Sequence, residues 1–456
     1  MISRAKINLP PQNYIFLNQR KFWHIFKIGV LVLVFYIPFG VALNLNPQID
    51  LALIRILILA FFLIWLVAAA FFKKRLFISP FQGFGLLSIL AVSVASLLFA
   101  QEFSWGARKI AVFLSIFPLY FLVASIADEK SSLKKLTNIF IASTFISASI
   151  ALIQFLAQFF ISFSALIQFY SQKIGPSFWG KAFSALVAQN PSWFVNVGGK
   201  TLMRAFGLFP DPHMLAFFIG LGSPLLLATL LFQKGTNLKL FCVYVLMVVA
   251  LFLTFSRGGY FGLFFSVFIV LLYSWRYLKE KKKFLITAIS ILFLLVLIIF
   301  GQAVISRFIS SFLISEGSSL GRLEIWQQSF KIFLEKPIFG VGLGNYSKTV
   351  DPLSLYRSPI TSHNLYLDIA SETGIFGLAA WLLLFFGSFY QLAKSLKRRR
   401  IENDEIKMIS LKIGLLGSLS YFLVHSFFET SIFNPTILAA LMIIFALVSV
   451  SLKPAR

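Results

Sequence analysis

Long apolar runs decide what this chain can fold into. About eighteen or more consecutive residues with few charges, coiled as a helix, match the hydrocarbon thickness of a bilayer. Such runs recur near 27–45, 51–72, 81–100, 110–127, 137–161, 213–232, 238–255, 258–275, 284–301, 364–392, 409–427 and 435–452. In lipid each segment must satisfy its own backbone polar groups, so the helix is the spanning unit. The sequence therefore predicts an all-α fold, a polytopic transmembrane helical bundle of about twelve spans. Composition agrees, since 59% of the 456 residues are hydrophobic and only 12% are charged, unlike any soluble globular domain. The single cysteine, Cys242, lies inside one of the runs, so neither an intrachain disulfide nor a cysteine metal cluster is expected.

The net charge of +25 does not point to nucleic acid. Most of the 41 Lys and Arg fall in alternate loops, as the positive-inside rule requires. Clusters at Arg20–Lys27, Lys73–Arg75, Lys130–Lys135, Arg276–Lys283 and Lys394–Lys412 mark the cytoplasmic side, while the short turns near 45–50 and 428–434 carry no cation. The parity places both termini in the cytoplasm. Lys21 and Lys27 lead into a run reaching about Asn44, too long for the apolar core of a signal peptide. Two long segments are left on the outer face. Residues 162–212 mix Phe163, Phe169, Tyr170, Phe178, Trp179 and Trp193 with Gly and Pro, an interfacial or re-entrant composition. Residues 302–363 are too polar to span and are expected to form a small extracytoplasmic cap of short helices. The chain thus divides into N-terminal helices with an interfacial segment (1–200), a region bearing the chemistry (201–434) and a last helix with its tail (435–456).

Four constellations stand out on the outer side. Thr254-Phe255-Ser256-Arg257-Gly258-Gly259 joins two spans with almost no loop. An arginine fork there matches phosphate oxygens, the helix start attracts anions, and Gly258 and Gly259 admit a ligand to the backbone. A snorkelling arginine at a tight hairpin is the plainer alternative. Arg204 precedes Pro210-Asp211-Pro212-His213, which fits either an anion contact or an interfacial anchor, and His213 alone reads as structural. Arg322 and Trp326 precede Pro337-Ile338-Phe339-Gly340-Val341-Gly342-Leu343-Gly344-Asn345. No Lys-Ser/Thr follows those glycines, which excludes a nucleotide loop and leaves a tight turn.

The fourth is Ser362-His363-Asn364, with Glu372-Thr373-Gly374 behind it, immediately before a span. Thr361 or Ser362 is expected to cap that helix, and the helix dipole to keep the His363 ring neutral, as a general base requires. Asn364, Asp368 and Glu372 recur at helical spacing on one face, and acids inside a span are functional by default. His24 and His425 carry little signal. No outer cluster of metal ligands is present, so no metal and no cofactor is expected.

In their order and placement these motifs resemble the O-antigen ligase and polymerase superfamily of bacterial polytopic membrane glycosyltransferases. The resemblance rests on Ser256-Arg257-Gly258-Gly259, Arg322 and Trp326, Pro337 through Asn345, and Ser362-His363-Asn364 with Glu372, Gly374 and Gly377, and covers roughly 200–430. It implies a metal-independent, inverting transfer of a glycan from an undecaprenyl-diphosphate carrier to a hydroxyl on a glycan, lipid or protein acceptor. The setting it implies is the outer face of the bacterial cytoplasmic membrane. It further implies that Arg204, Arg257 and Arg322 hold the diphosphate, that Gly258, Gly259, Asn364 and Glu372 line the site, and that His363 is the base. A repeat-unit polymerase is the alternative within the same chemistry. A solute transporter or flippase is the alternative outside it, disfavoured because only Asp368 and Glu372 look buried and both lie near an outer end.

Overall fold

The computed structural model describes residues 12–46, 49–72, 80–127, 130–189, 192–197, 199–233, 235, 237–280, 282–283, 317–356, 360–396 and 405–453. The span expected at 284–301, the beginning of the cap up to 316 and most of the basic loop at 394–407 lie outside these residues. The helices are α1 (Gln12–Tyr36), α2 (Leu53–Phe71), α3 (Pro80–Ser96), α4 (Phe103–Ile116), α5 (Pro118–Ile126), α6 (Lys130–Ala157), α7 (Phe163–Phe169), α8 (Gly175–Phe178), α9 (Lys181–Gln189), α10 (Pro212–Phe232), α11 (Leu238–Leu253), α12 (Arg257–Ser274), α13 (Gly317–Glu335), α14 (Tyr346–Val350), α15 (Leu365–Leu396), α16 (Glu405–His425) and α17 (Pro435–Ser451). Among the described residues, nine helices are long and apolar enough to cross a membrane, α4 and α5 counting as one, and α11 and α17 are shorter apolar helices. The protein is a polytopic helical membrane protein.

Buried α17 lies at the heart of the bundle: every side chain from Ile437 to Val448 is inaccessible. A helix apolar on all sides must be wrapped by others, and α4, α5, α10, α15 and α16 pack against it. Between apolar helices in lipid, close packing rather than the hydrophobic effect drives association. Small residues provide it here. Gly258 and Gly262 of α12 meet α16 where a Cβ would strike His425, Phe428 and Tyr421, and Gly220 of α10 lies against the Tyr421 ring. The Tyr421 hydroxyl donates to the Ala216 carbonyl at 2.8 Å, tying α16 to α10.

Several starts follow side-chain chemistry. Asp211 and Asn434 each cap a helix whose first residue is proline, accepting from the next free backbone N–H groups. The span expected from 110 begins earlier, at Phe103. Arg108 and Lys109 interrupt the apolar run without ending the helix, because each has a partner elsewhere in the fold: Arg108 lies over Tyr356, and Lys109 pairs with Glu372.

Two hairpins were not foreseen. Strands β1 (Ala42–Asn46) and β2 (Ile49–Ala52) pair antiparallel where a bare turn was expected. Asn44 and Asp50 accept from the backbone N–H groups of Lys181 and Phe183, so this hairpin caps α9. Strands β3 (Phe194–Val197) and β4 (Lys200–Met203) close the 162–212 segment. That segment is a folded unit around Leu166, Tyr170, Trp179, Trp193, Met203 and Phe206, with the last two rings of Trp193 and Phe206 stacked at 5.2 Å.

The loop from Pro337 to Asn345 is wedged into a break in α15. At Gly374 the backbone leaves the helix (φ 67°, ψ −164°), and the loop satisfies the groups this frees. Val341 N–H donates to the Ser371 carbonyl and Ile375 N–H to the Pro337 carbonyl, at 2.9 and 2.8 Å. Gly340 and Gly374 both sit at positive φ with backbone packed where a side chain would go. The expected tight turn is therefore a lock between cap and bundle. The loop, α13, α14, the 162–212 unit and the α11–α12 turn all gather at one end of the bundle, the cap end.

Candidate active site

Two connections at the cap end hold their backbones in the left-handed region: Phe255 (φ 50°) and His363 (φ 49°) are the non-glycine residues that do so among the described residues. Such conformations cost on the order of 1 kcal/mol and persist only where neighbours over-determine them. Each immediately adjoins a residue singled out from the sequence.

The His363 turn is fixed from several directions. The Ser362 hydroxyl donates to the Asn364 carbonyl and accepts from its N–H. Ser362 N–H donates to Asp368, and its carbonyl accepts from the Trp326 indole at 3.0 Å. The Asn364 side chain accepts from Tyr366 and Leu367 N–H, so Asn364 caps α15. The expectation that Thr361 or Ser362 would cap is corrected: Ser362 is turned inward to brace the loop. His363 therefore lies before the cap rather than in the first helical turn.

This also reverses the expected electrostatics. His363 Nδ1 faces both carboxylate oxygens of Glu429, at 3.2 and 3.1 Å. The hydrogen bond to Glu429 raises the His363 pKa above 6.5; burial and the Arg322 charge oppose it without prevailing. The dipole argument fails because a carboxylate in direct contact outweighs a partial charge at a helix end. The imidazole remains 42% exposed, and Nε2 makes no hydrogen bond among the described residues. The result is a ring held by one nitrogen and open at the other.

The second connection carries Ser256 and Arg257. Ser256 caps α12 by accepting from Gly259 N–H at 3.2 Å. Its hydroxyl also contacts His213 Nδ1 at 2.9 Å and His425 Nε2 at 3.1 Å. Two histidines that read as uninformative thus brace the start of α12 from α10 and α16. Arg257 is the first residue of that helix and half-buried. The backbone approach that Gly258 and Gly259 permit is made by α16 and α10.

Arg204, expected at an anion, is only 8% exposed. Its Nε donates to the Thr254 carbonyl at 2.7 Å and Nη1 to the Ser192 carbonyl at 2.9 Å, while Nη2 lies 3.5 Å from His213 Nε2. Burial pushes its pKa down to about 10, partly offset by Asp211. Arg204 therefore pins the 254–256 turn to the 162–212 unit. Arg322 is half-buried on α13, one turn before Trp326, and makes no ion pair among the described residues. Its charge reaches both Arg204 and His363. Arg204, Arg257, Arg322 and His363 are thus all at the cap end, with Phe428 and Glu429 linking the Gly258 contact to the His363 contact.

Glu372 is placed differently. Both its oxygens lie 2.8 Å from Lys109 Nζ, and Lys109 also sits 3.9 Å over the Phe433 ring. Asp368 accepts from Ser362 N–H and the Thr430 hydroxyl. The shared acidic face of α15 is therefore internally paired. Glu429 and Lys109 were missed from the sequence. Glu429 had a weak signal as the only acid in an outer turn without cations.

Residues 242–382 match the model of the O-antigen ligase family. Over 204 residues the chain is 29% identical to a Rickettsia typhi protein named as a candidate polysaccharide ligase, covering 42% of this chain and 49% of that one. Over 232 residues it is 24% identical to the O-antigen polymerase of Salmonella muenchen, covering 49% and 55%. A teichuronic acid biosynthesis protein of Bacillus subtilis is 26% identical over 204 residues, covering 42% and 41%. The chain spans about half the length of the curated relatives it matches.

Proposed function

Because residues 242–382 match the model of the O-antigen ligase family, we propose that the chain transfers a glycan from a polyprenyl-diphosphate carrier to an acceptor hydroxyl, with inversion and without a metal. The reaction takes place at the cap end, on the outer face of the cytoplasmic membrane. The observation that carries this reading is the His363–Glu429 dyad, a partly exposed ring held at Nδ1 and reached by the Arg322 charge.

His363 Nε2 takes the acceptor hydroxyl proton as the acceptor oxygen attacks the anomeric carbon. The bond from that carbon to the diphosphate oxygen breaks on the opposite face, which inverts the centre, and the polyprenyl diphosphate leaves with the bonding pair. Glu429 accepts from Nδ1–H, fixes the tautomer and stabilises the imidazolium that forms. Arg257 and Arg322 meet the negative charge growing on the leaving diphosphate, where preorganised cations act most strongly. Arg204 holds the Arg257 turn in place. Gly258, Gly259 and Asn364 shape the two turns, and Glu372 with Lys109 steadies α15 behind them.

A polymerase, whose acceptor is another carrier-linked repeat, uses the same centre. The relatives carry both names, ligase and polymerase. The test is single-turnover transfer by purified protein from a defined polyprenyl-diphosphate glycan. His363→Gln should lower the rate by about 10²–10⁴, the usual contribution of a general base. Arg257→Lys keeps a charge but loses the two-pronged geometry and should also fall clearly. Near-normal transfer by His363→Gln would remove the base mechanism.

A further inference from the structure

A second group of cations lies on α2 and α4. Arg55 stands near the cap end of α2, within a predicted span. Its Nε donates to the Ser115 hydroxyl of α4 at 2.8 Å, and its terminal nitrogens make no hydrogen bond among the described residues. Seven residues before Ser115, and so on the same face of α4, is Arg108. The Arg108 guanidinium lies 4.7 Å over the Tyr356 ring, and Tyr356 meets the edge of Trp105 at 5.6 Å. Tyr356 is also close enough to Arg55 to interact with its charge. No carboxylate lies within ion-pair distance of Arg55 or Arg108 among the described residues. Their neighbour Lys109, by contrast, is paired with Glu372.

Cations at membrane depth are costly and are normally paired or set on a substrate path. Here one arginine is braced by Ser115 and the other by an aromatic ring, and both leave guanidinium N–H groups for an anion. Below Arg55, one and two turns along α2, Leu59 and Leu63 are exposed, the latter at 60%. A cationic head position above an apolar stripe fits an anion carried on a lipid tail rather than a free solute. The Lys109–Glu372 pair joins this side to α15, whose start carries His363.

We propose that Arg55 and Arg108 form a second anion site, which holds the phosphate of a membrane-borne acceptor while Arg257 and Arg322 hold that of the donor. This rests on the glycan-transfer reading. The ligand chemistry is a lipid phosphate bearing sugar. Two sources can supply it: a second polyprenyl-diphosphate glycan, or a phosphorylated acylated disaccharide.

The experiment counts lipids on the full-chain protein by native mass spectrometry, using undecaprenyl diphosphate and, separately, a bisphosphorylated acylated glucosamine disaccharide. The wild type should hold two lipid phosphates at saturation. Arg55→Gln with Arg108→Gln should weaken the second about tenfold or more, as expected for loss of charge-assisted contacts, and should raise the acceptor KM by a similar factor with donor KM unchanged. A second site filled by undecaprenyl diphosphate identifies a carrier-linked acceptor, and one filled by the disaccharide lipid identifies a phosphoglycolipid. A second site filled by neither lipid, or filled equally well in the double variant, overturns the proposal. Should the double variant fail to fold, photo-crosslinking of wild type with diazirine-tailed versions of both lipids decides, and absence of label on α2 and α4 overturns it. Arg257→Ala serves as the separate arm: it should lose the first lipid and keep the second. Retention of both there defeats the donor-clamp reading and leaves the Arg55 site to be judged by its own variants.

Discussion

At the scale of single residues, the most consequential contact is between His363 and Glu429. In the proposed mechanism His363 must be neutral to accept a proton, so activity should rise with pH through the His363 pKa, which Glu429 lifts above 6.5. Glu429→Gln removes the largest raising influence and leaves burial and Arg322, which lower the pKa, against the smaller raising charge of Asp368. The acid limb of the single-turnover profile should therefore move to lower pH in Glu429→Gln, while the plateau falls because the imidazolium loses its partner. A limb that stays in place, or moves up, would assign the titration to another group. His363 itself was legible as chemistry because a histidine before a span is conspicuous. Glu429 was not, because the two residues are 66 positions apart and come from different helix ends. The capping assignment failed for a related reason. Thr361, Ser362 and Asn364 are all competent caps, and only the inward bonds of Ser362 to Asp368 and Trp326 decide among them.

At the scale of elements, the fold is held where helices are interrupted. Nearly all the spans were readable, since run length and apolarity are local properties. The errors came where a charge sits inside a span and its partner is remote, as with Lys109 and Glu372, which are 263 residues apart. Removing Lys109 alone leaves a carboxylate that is almost wholly buried. Lys109→Ala should cost about 2 kcal/mol, below the roughly 3–5 of a fully buried pair because Lys109 keeps some contact with water. Lys109→Ala with Glu372→Gln should recover part of that loss, a coupling that thermal unfolding of the purified protein can read. Additive effects would mean that the pair is not a unit. The break in α15 is a second such point. Gly374→Ala must place a Cβ against the Ile338 carbonyl at a positive φ, so it should loosen the Pro337–Asn345 loop. Faster protease cleavage within 337–345, together with a lower melting temperature, is the expected readout, and unchanged cleavage would count against the lock.

At the scale of the whole molecule, function depends on which way the bundle faces. The ends of the described helices sort into two sets. His363, Arg204, Ser256 and Glu429 gather at the cap end. At the opposite end Arg276 and Tyr277 donate to the Leu396 carbonyl and Lys282 donates to the carbonyls of Leu231 and Gln233. Cations thus finish helices at the end that the positive-inside rule assigns to the cytoplasm. The proposed transfer, from a carrier-linked glycan on the outer leaflet, requires the cap end to be external. Single cysteines placed on a Cys242→Ala background test this directly. Leu353 is 87% exposed at the cap end, and Lys279 is exposed at the other. A membrane-impermeant maleimide should label Leu353→Cys in intact cells and Lys279→Cys only after the cells are opened. The reverse pattern would turn the molecule over, placing the His363–Glu429 dyad on the cytoplasmic side, away from the acceptor and with no route to the proposed chemistry.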